Sequence, residues 1–217
     1  MKLVLLGPPG AGKGTQAAEL AKEFNIPAIS TGHIIRNAIA EKTPVGIEVK
    51  GFIDRGELVP DSIVIEMVKE RLKDDDCKSG YILDGFPRTV SQAEIMENLP
   101  IGVDLVIEIH VDTDIIVDRL SGRRECKTCG ATYHIKDNPP KQDGVCDRCG
   151  GAVTHRIDDV PEIIRNRIEV YHEQTEPLKQ YYEARNLLAE VNGQNKVSDT
   201  TKAVMAAIRE RIVEGNV

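Results

Sequence analysis

The chain has 217 residues, 41% of them hydrophobic and 29% charged, which suits a folded protein with one substantial core and room for small inserts. The formal net charge of −7 argues against general attraction to nucleic acid or an anionic membrane, while local arginines still permit an anionic small ligand. Trp is absent and aromatics make up only 4%, so the core must be built from Val, Ile, Leu and Ala.

The opening "MKLVLLGPPG" holds four consecutive apolar residues before a glycine-rich turn, too few for a signal peptide or a membrane span. No later run reaches about 18 apolar residues. The expected location is the cytoplasm, where thiols stay reduced and clustered cysteines point to metal rather than disulfides. Residues 2–6 read as a buried parallel strand and 13–24 as a helix, with apolar positions at Ala17, Leu20, Ala21 and Phe24. Two short, more polar helical patterns follow at about 32–41 and 44–54, closed by Gly56. Residues 61–73 predict a helix, 81–84 a strand, 90–98 a helix, 103–111 a strand and 113–121 a helix. Residues 122–159 lose all helical period and hold four cysteines among many Gly and Pro. A long helix from about 160 to 184, bent near Pro177, a strand at 186–192 and a helix at 199–213 complete the chain. Alternating strands and helices imply an α/β fold, a parallel sheet wrapped by helices, with inserts at about 30–59 and 122–159.

Three features carry chemistry. Gly7, Gly12 and Lys13 match the phosphate-loop pattern between a strand and a helix, although the position after the lysine is Gly14 and the hydroxyl arrives one residue late, at Thr15. Such a loop aims backbone N–H groups and a helix N-terminus at phosphate, with the lysine reaching the outer oxygens. Cys126-x-x-Cys129 and Cys146-x-x-Cys149, sixteen residues apart and each followed by glycine, have the spacing of a closed four-thiolate structural site, for zinc in preference to iron. His134 and His155 are expected not to ligate it, and Cys77 to be inert. Asp84 ends an apolar strand, where an acid can orient magnesium or its waters. Arginines gather near turns and insert edges: Arg36, Arg88, Arg123, Arg124, Arg156 and Arg167. Their forked guanidinium groups suit phosphate oxygens.

Taken together, "GPPGAGKGTQ", "ISTGHIIR", "GELVPD", "LDGFPRT", "GRR", "TYH…NPPK", "RIDD" and "VNG" resemble the adenylate kinase family of the zinc-bearing, long-lid type, nearly end to end. The resemblance implies a P-loop NTPase-type core (1–29, 60–121 and 160–217), a nucleoside-monophosphate-binding insert (30–59) and a zinc-bearing lid (122–159). It implies transfer of a phosphoryl group between ATP and AMP, giving two ADP with Mg²⁺, by a monomer with no nucleic-acid or membrane partner. In this family Gly14 and Thr15 are the ordinary pattern. ATP is expected on Gly10, Ala11, Gly12, Lys13, Gly14, Thr15, Arg119, Arg123, Thr132, Tyr133 and Asn195. AMP is expected on Thr31, Arg36, the backbone of Glu57, Leu58 and Val59, then Gly85, Phe86, Pro87, Arg88, Gln92, Arg156 and Arg167. The catalytic set is Lys13, Asp84, Arg88, Arg123, Arg156 and Arg167, with Asp158 and Asp159 orienting the lid arginines. One departure is His33, where the family carries an acid that organises magnesium waters; its expected places are on a water or in solvent. Rival readings are a kinase for UMP or CMP, a GTP donor, or a zinc-ribbon nucleic-acid-binding ATPase.

Overall fold

The computed structural model describes residues 1–99, 101–194, 196–213 and 215. Among them, five strands form one parallel sheet: β1 (Lys2–Leu6), β2 (Ala28–Ser30), β3 (Tyr81–Asp84), β4 (Leu105–His110) and β8 (Leu188–Asn192), in the order β2-β3-β1-β4-β8. The register aligns Val4 with Leu83 and Val106, so the three side chains share one face. Leu3, Leu5, Ile82 and Ile107 fill the other. Strands covered on both faces need apolar residues at every position, which is why β1 reads as an unbroken run.

Helices cover both faces. Against Leu3 and Leu5 lie α1 (Lys13–Phe24) through Leu20, α6 (Thr113–Gly122) through Ile116 and Leu120, α7 (Pro161–Val170) through Ile164, and α9 (Val197–Val213) through Val204 and Ile208. Against Val4 and Leu83 lie α4 (Asp61–Arg71), α5 (Val90–Glu97) and α8 (Leu178–Glu183), with Val68, Met96 and Leu178 pointing inward. Two further helices, α2 (Thr31–Ala40) and α3 (Pro44–Arg55), extend this second cluster through Ile35 and Val49. Each such side chain contributes about 1.5–3 kcal/mol by leaving water.

The region expected to lack helical period is a three-stranded antiparallel sheet, β6-β5-β7, built from β5 (Arg123–Cys126), β6 (Thr132–His134) and β7 (Val153–Thr154). The helix expected over 160–184 is three pieces. After α7 the chain widens into a π turn at Tyr171–Thr175, closed by the Glu176 N–H donating to Tyr171 O at 2.9 Å. Pro177 has no N–H to continue a regular ladder, and the wide turn absorbs that loss. The strand expected over 103–111 begins later because Asp104 is spent on Lys2: its backbone N–H donates to Lys2 O, and its carboxylate accepts from Lys2 N. Strand β2, only three residues long, and a 3-10 turn at Asp75–Cys77 give too little periodicity to be read in advance.

Two glycines on α3 have opposite surroundings. A Cβ built on Gly46 would lie 2.0 Å from Ala38 O, because α2 and α3 touch there through backbone. One on Gly51 meets only the movable tip of Arg55, at 3.2 Å. In urea denaturation Gly46→Ala should therefore destabilise the protein by about 1–3 kcal/mol. Gly51→Ala should stabilise it by up to about 1 kcal/mol through helix propensity.

Candidate active site

Strand β1 ends in Gly7 with φ +136, where a Cβ would lie 2.5 Å from Ile109 O; only glycine lets the chain leave the sheet so tightly. The following turn has positive φ at Gly10 and Gly12, and α1 starts with neither a side-chain cap nor an acid in its first turn. The helix N-terminus thus keeps donors for an anion. Lys13 Nζ lies back over the loop, donating to Gly7 O at 2.6 Å and Pro8 O at 2.9 Å. Burial lowers its pKa to about 8; Asp84 works against this, while Arg88, Arg167 and Arg123 add to it.

Gly14 has a physical reason to be small. A Cβ there would sit 3.3 Å from Asp84 Oδ2 and 4.0 Å from Thr132 Oγ1 of the small sheet, so a side chain would crowd the acid at the end of β3. The Asp84 carboxylate carries no hydrogen bond or ion pair among the described residues, and Thr15 follows on the same loop. A carboxylate with all its oxygen lone pairs open beside a phosphate loop fits a hard divalent cation or its waters. Next to it, Gly85 O accepts from Thr31 Oγ1 at 2.7 Å and from Arg88 Nε at 2.8 Å. Gly85 has φ +82, and a Cβ would meet Arg88 Nη2 at 2.9 Å. The buried Phe86 and Pro87, joined by a cis peptide, complete this turn.

Two buried acids organise the arginines. Asp159 receives Arg123 through two bonds, at 2.7 and 2.6 Å, and Arg167 Nη1 at 2.8 Å. Asp158 holds Arg156 through both of its oxygens and lies 3.2 Å from Arg167 Nη1. Burial alone would raise the Asp158 pKa, but the charge and hydrogen bonds of Arg156, with help from Arg167, hold it far below the usual carboxylate range. Burial pulls Arg167 down to about 10, with Asp158 opposing and Arg156 and Arg123 adding to the fall. Arg36 and Arg88 are lowered too, burial being the main cause. A guanidinium depressed in this way stays charged at neutral pH. Six cations (Lys13, Arg36, Arg88, Arg123, Arg156, Arg167) face four carboxylates (Asp84, Glu125, Asp158, Asp159), so the site is electropositive in an acidic protein.

Glu125, on β5, was not singled out from the sequence. Its carboxylate accepts from Arg36 Nε and Nη2 at 3.0 and 2.8 Å and from Arg156 Nη1 at 3.1 Å, linking the small sheet to α2. Burial would raise its pKa, but His33, Arg156 and Arg36 hold it at about 2. His33 is partly buried, with its side chain 21% exposed. Its Nδ1 lies 3.8 Å from Glu125, its ring packs on Gly130, and Nε2 pairs with Asn37 Nδ2 at 3.1 Å. The only signal in the sequence was an acid wedged between two arginines and a cysteine.

The remaining expected residues divide. Gly56, with φ +74, packs on Arg167 and Ile163 of α7, which carries the backbone of Glu57, Leu58 and Val59 toward the arginines. Buried Gln92 bonds Arg88 N and Asp61. Arg119 Nη2 donates to Gln194 O at 2.9 Å, beside Asn195, which lies outside the described residues. Thr132 faces Gly14, whereas Tyr133 is buried in the small sheet with its hydroxyl on Cys146 Sγ and Asp147 N, leaving its backbone as the part that can meet a ligand. Cys77 is buried near Arg71 and Asp76, and burial pushes its thiol up to about 11, which fits an inert residue.

The four cysteine Sγ atoms all lie within 4.8 Å of one another, with Cys126–Cys149 at 3.5 Å and Cys129–Cys146 at 3.6 Å. A tetrahedron with metal–sulfur bonds of about 2.3 Å has edges of about 3.8 Å, so the cage fits one ion. The two halves repeat one geometry. Gly130 N donates to Cys126 O at 3.0 Å and Gly150 N to Cys146 O at 2.9 Å, with φ +69 and +72 at the two glycines. The Tyr133 hydroxyl and the Arg148 N–H also favour a Cys146 thiolate. His134 and His155 stand outside the cage.

A phosphate loop at the carboxyl end of a parallel sheet, with an unpartnered acid and a ring of arginines, defines a P-loop protein built to move phosphoryl groups. The chain belongs to the adenylate kinase family: the family model for adenylate kinase matches residues 5–187. It is 51% identical over 212 residues to an adenylate kinase of Caldicellulosiruptor bescii, covering 96% of this chain and 99% of the relative. An adenylate kinase of Geobacillus sp. (strain WCH70) is 52% identical over 214 residues, 97% of each chain, and one of Clostridium beijerinckii is 50% identical over 208 residues, 94% of this chain and 96% of the relative.

The cage around Cys126 sits in a region whose buried cluster is only Ala131, Tyr133, Val153 and two cysteines, too few to hold it folded without a cross-link. Elemental analysis should find one tightly held ion per chain. Cys146→Ser should release it to a competing chelator and open residues 126–151 to limited proteolysis, while the far-ultraviolet dichroism of the main sheet and helices persists.

Proposed function

We propose that the chain transfers the terminal phosphoryl group of ATP to AMP, reversibly giving two ADP. The observation that carries this reading is the gathering of Arg88, Arg123 and Arg167 around Lys13 on the phosphate loop, with Arg156 joined to Arg167 through Asp158 and to Arg36 through Glu125. The loop from Gly10 to Thr15 binds the ATP phosphates through backbone N–H groups, with Arg119 and the segment at Asn195 along the adenine and Thr132 and the Tyr133 backbone closing from above. Thr31, Arg36, the turn at Gly85–Arg88, residues 57–59 and Gln92 hold AMP. Arg123, Arg156 and Arg167, pre-aligned by Asp158 and Asp159, surround the phosphoryl group in flight. Such transfer needs in-line placement and charge neutralisation more than covalent help. When bound, Mg²⁺ supplies charge neutralisation at the phosphate oxygens, and Asp84 and Thr15 are the residues that would orient its waters.

Residues 30–59 act as the monophosphate-binding insert and 122–159 as the lid, each closing on one substrate and excluding water from the reaction. The four thiolates hold a structural zinc, since a closed all-sulfur tetrahedron leaves no open position for catalysis. Cysteines that work as reduced thiolates fit the cytoplasm. A net charge of −7 fits a monomer that acts on small nucleotides rather than nucleic acid.

Incubation with ATP, AMP and Mg²⁺ should yield ADP in a coupled assay, and Lys13→Met should lower kcat by about a hundred- to a thousandfold. No diphosphate from the parent chain would end this reading. A second test uses the Lys13 pKa, which lies at about 8 against an ordinary 10.5. Between those values the unfolded chain holds more protons than the folded one, so the penalty of the buried ammonium disappears and stability rises with pH across that window. A bound polyphosphate restores the charged form. Calorimetry at about pH 8.5 in buffers of different ionisation enthalpy should therefore show proton uptake on ATP binding, absent in Lys13→Met.

A further inference from the structure

Adenine and hypoxanthine differ where a side-chain amide reads them. The 6-amino ring offers an acceptor at N1 and a donor at the amino group; the 6-oxo ring offers the reverse. A glutamine satisfies either by turning its amide over, so it discriminates only if something prevents the turn. Gln92 is 1% exposed and its amide is held at both ends. The Arg88 N–H donates to Oε1 at 2.7 Å, and Nε2 donates to Asp61 Oδ1 at 2.7 Å. A turned amide would set NH₂ against an N–H and oxygen against a carboxylate. Each end still keeps one donor or acceptor for a base.

Asp61 is itself braced. Its Oδ2 accepts from Thr89 Oγ1 at 3.1 Å, and that same hydroxyl oxygen accepts the Gln92 N–H at 3.1 Å, capping α5. Asp61 is also the acid in the first turn of α4, after Pro60, so a purely structural role in stabilising a helix start competes as an explanation. That role offers no reason for the carboxylate to engage a glutamine 31 residues away in sequence.

We infer that Asp61 is a specificity-determining positioning residue, locking the Gln92 amide in the orientation that takes a 6-amino purine monophosphate and rejects a 6-oxo one. This rests on Gln92 reading the acceptor base, as proposed above. Asp61 does not touch the base; it acts through Gln92.

The test measures kcat/KM for AMP and inosine monophosphate, with ATP as donor, in the parent chain, Asp61→Ala, Asp61→Leu, Asp61→Asn and Gln92→Ala, with folding checked by circular dichroism. In Asp61→Ala or Asp61→Leu, KM for AMP should rise about tenfold with kcat within about twofold. The AMP preference over inosine monophosphate should shrink by about tenfold or more. Asp61→Asn keeps an acceptor oxygen for Gln92 Nε2 and should restore the preference to within about threefold of the parent. If either apolar variant folds, both acceptors fall together and the preference stays constant, Asp61 is only a helix-start acid and the inference is overturned. If neither apolar variant folds, Asp61→Ser, which keeps a helix-start hydroxyl but is too short to hold Gln92 Nε2, takes their place: a shrunken preference upholds the inference and an unchanged one overturns it. A preference unchanged in Gln92→Ala overturns both the inference and the base-reading role of Gln92. A preference lost in Gln92→Ala but kept in Asp61→Leu overturns the inference alone.

Discussion

Buried positive charge around the phosphate loop is the constraint to which the rest of the architecture answers. Gathering guanidinium groups away from water is unfavourable unless carboxylates sit among them, and removing one partner from such a buried pair commonly costs about 3–5 kcal/mol. Asp158 and Asp159 meet that need with four of their oxygens shared among Arg123, Arg156 and Arg167. Their placement in the "RIDD" segment, between β7 and α7, lets one short stretch anchor arginines from β5, from the segment itself and from the following helix. The acids leave positive charge over, and burial, reinforced by neighbouring arginines, lowers the pKa values of Lys13, Arg36, Arg88 and Arg167.

Small residues make this crowding geometrically possible. Gly7, Gly14 and Gly85 each stand where a Cβ would run into a carbonyl, a carboxylate or a guanidinium. These contacts explain the glycine-rich spelling of the loop as a matter of space as well as of backbone freedom. At position 14 a Cβ would press on Asp84 Oδ2 at 3.3 Å, and the hydroxyl stands at Thr15 instead.

The sheet and the loop were legible because burial on both faces writes itself as continuous apolar runs, and because the phosphate loop is a local motif. The cysteine cage was legible for the same reason: its two halves are short and self-contained. What escaped depended on distant partners. Glu125 acquires meaning only when β5 is brought to Arg36, 89 residues away in the chain, and His33 only when the turn at Gly130 packs on it. Gln92 was noted for its amide, but the groups that orient it, Asp61 and Arg88 N, come together through the packing of α4 against α5. The break in the long helix was half visible: Pro177 marks it, but the π turn that accommodates the proline lies ahead of it.

The cysteine cage also bears on how the protein responds to temperature. The main sheet is held by apolar burial, whose strength varies with temperature and weakens on cooling. The small sheet buries few apolar side chains, and an ion held by its four thiolates would cross-link it through coordinate bonds, which do not depend on the structure of water. With that ion in place, the segment that carries Arg123 and Glu125 would keep its form across a range of temperatures over which the core softens or stiffens, and thermal adaptation could proceed in the core without redrawing it.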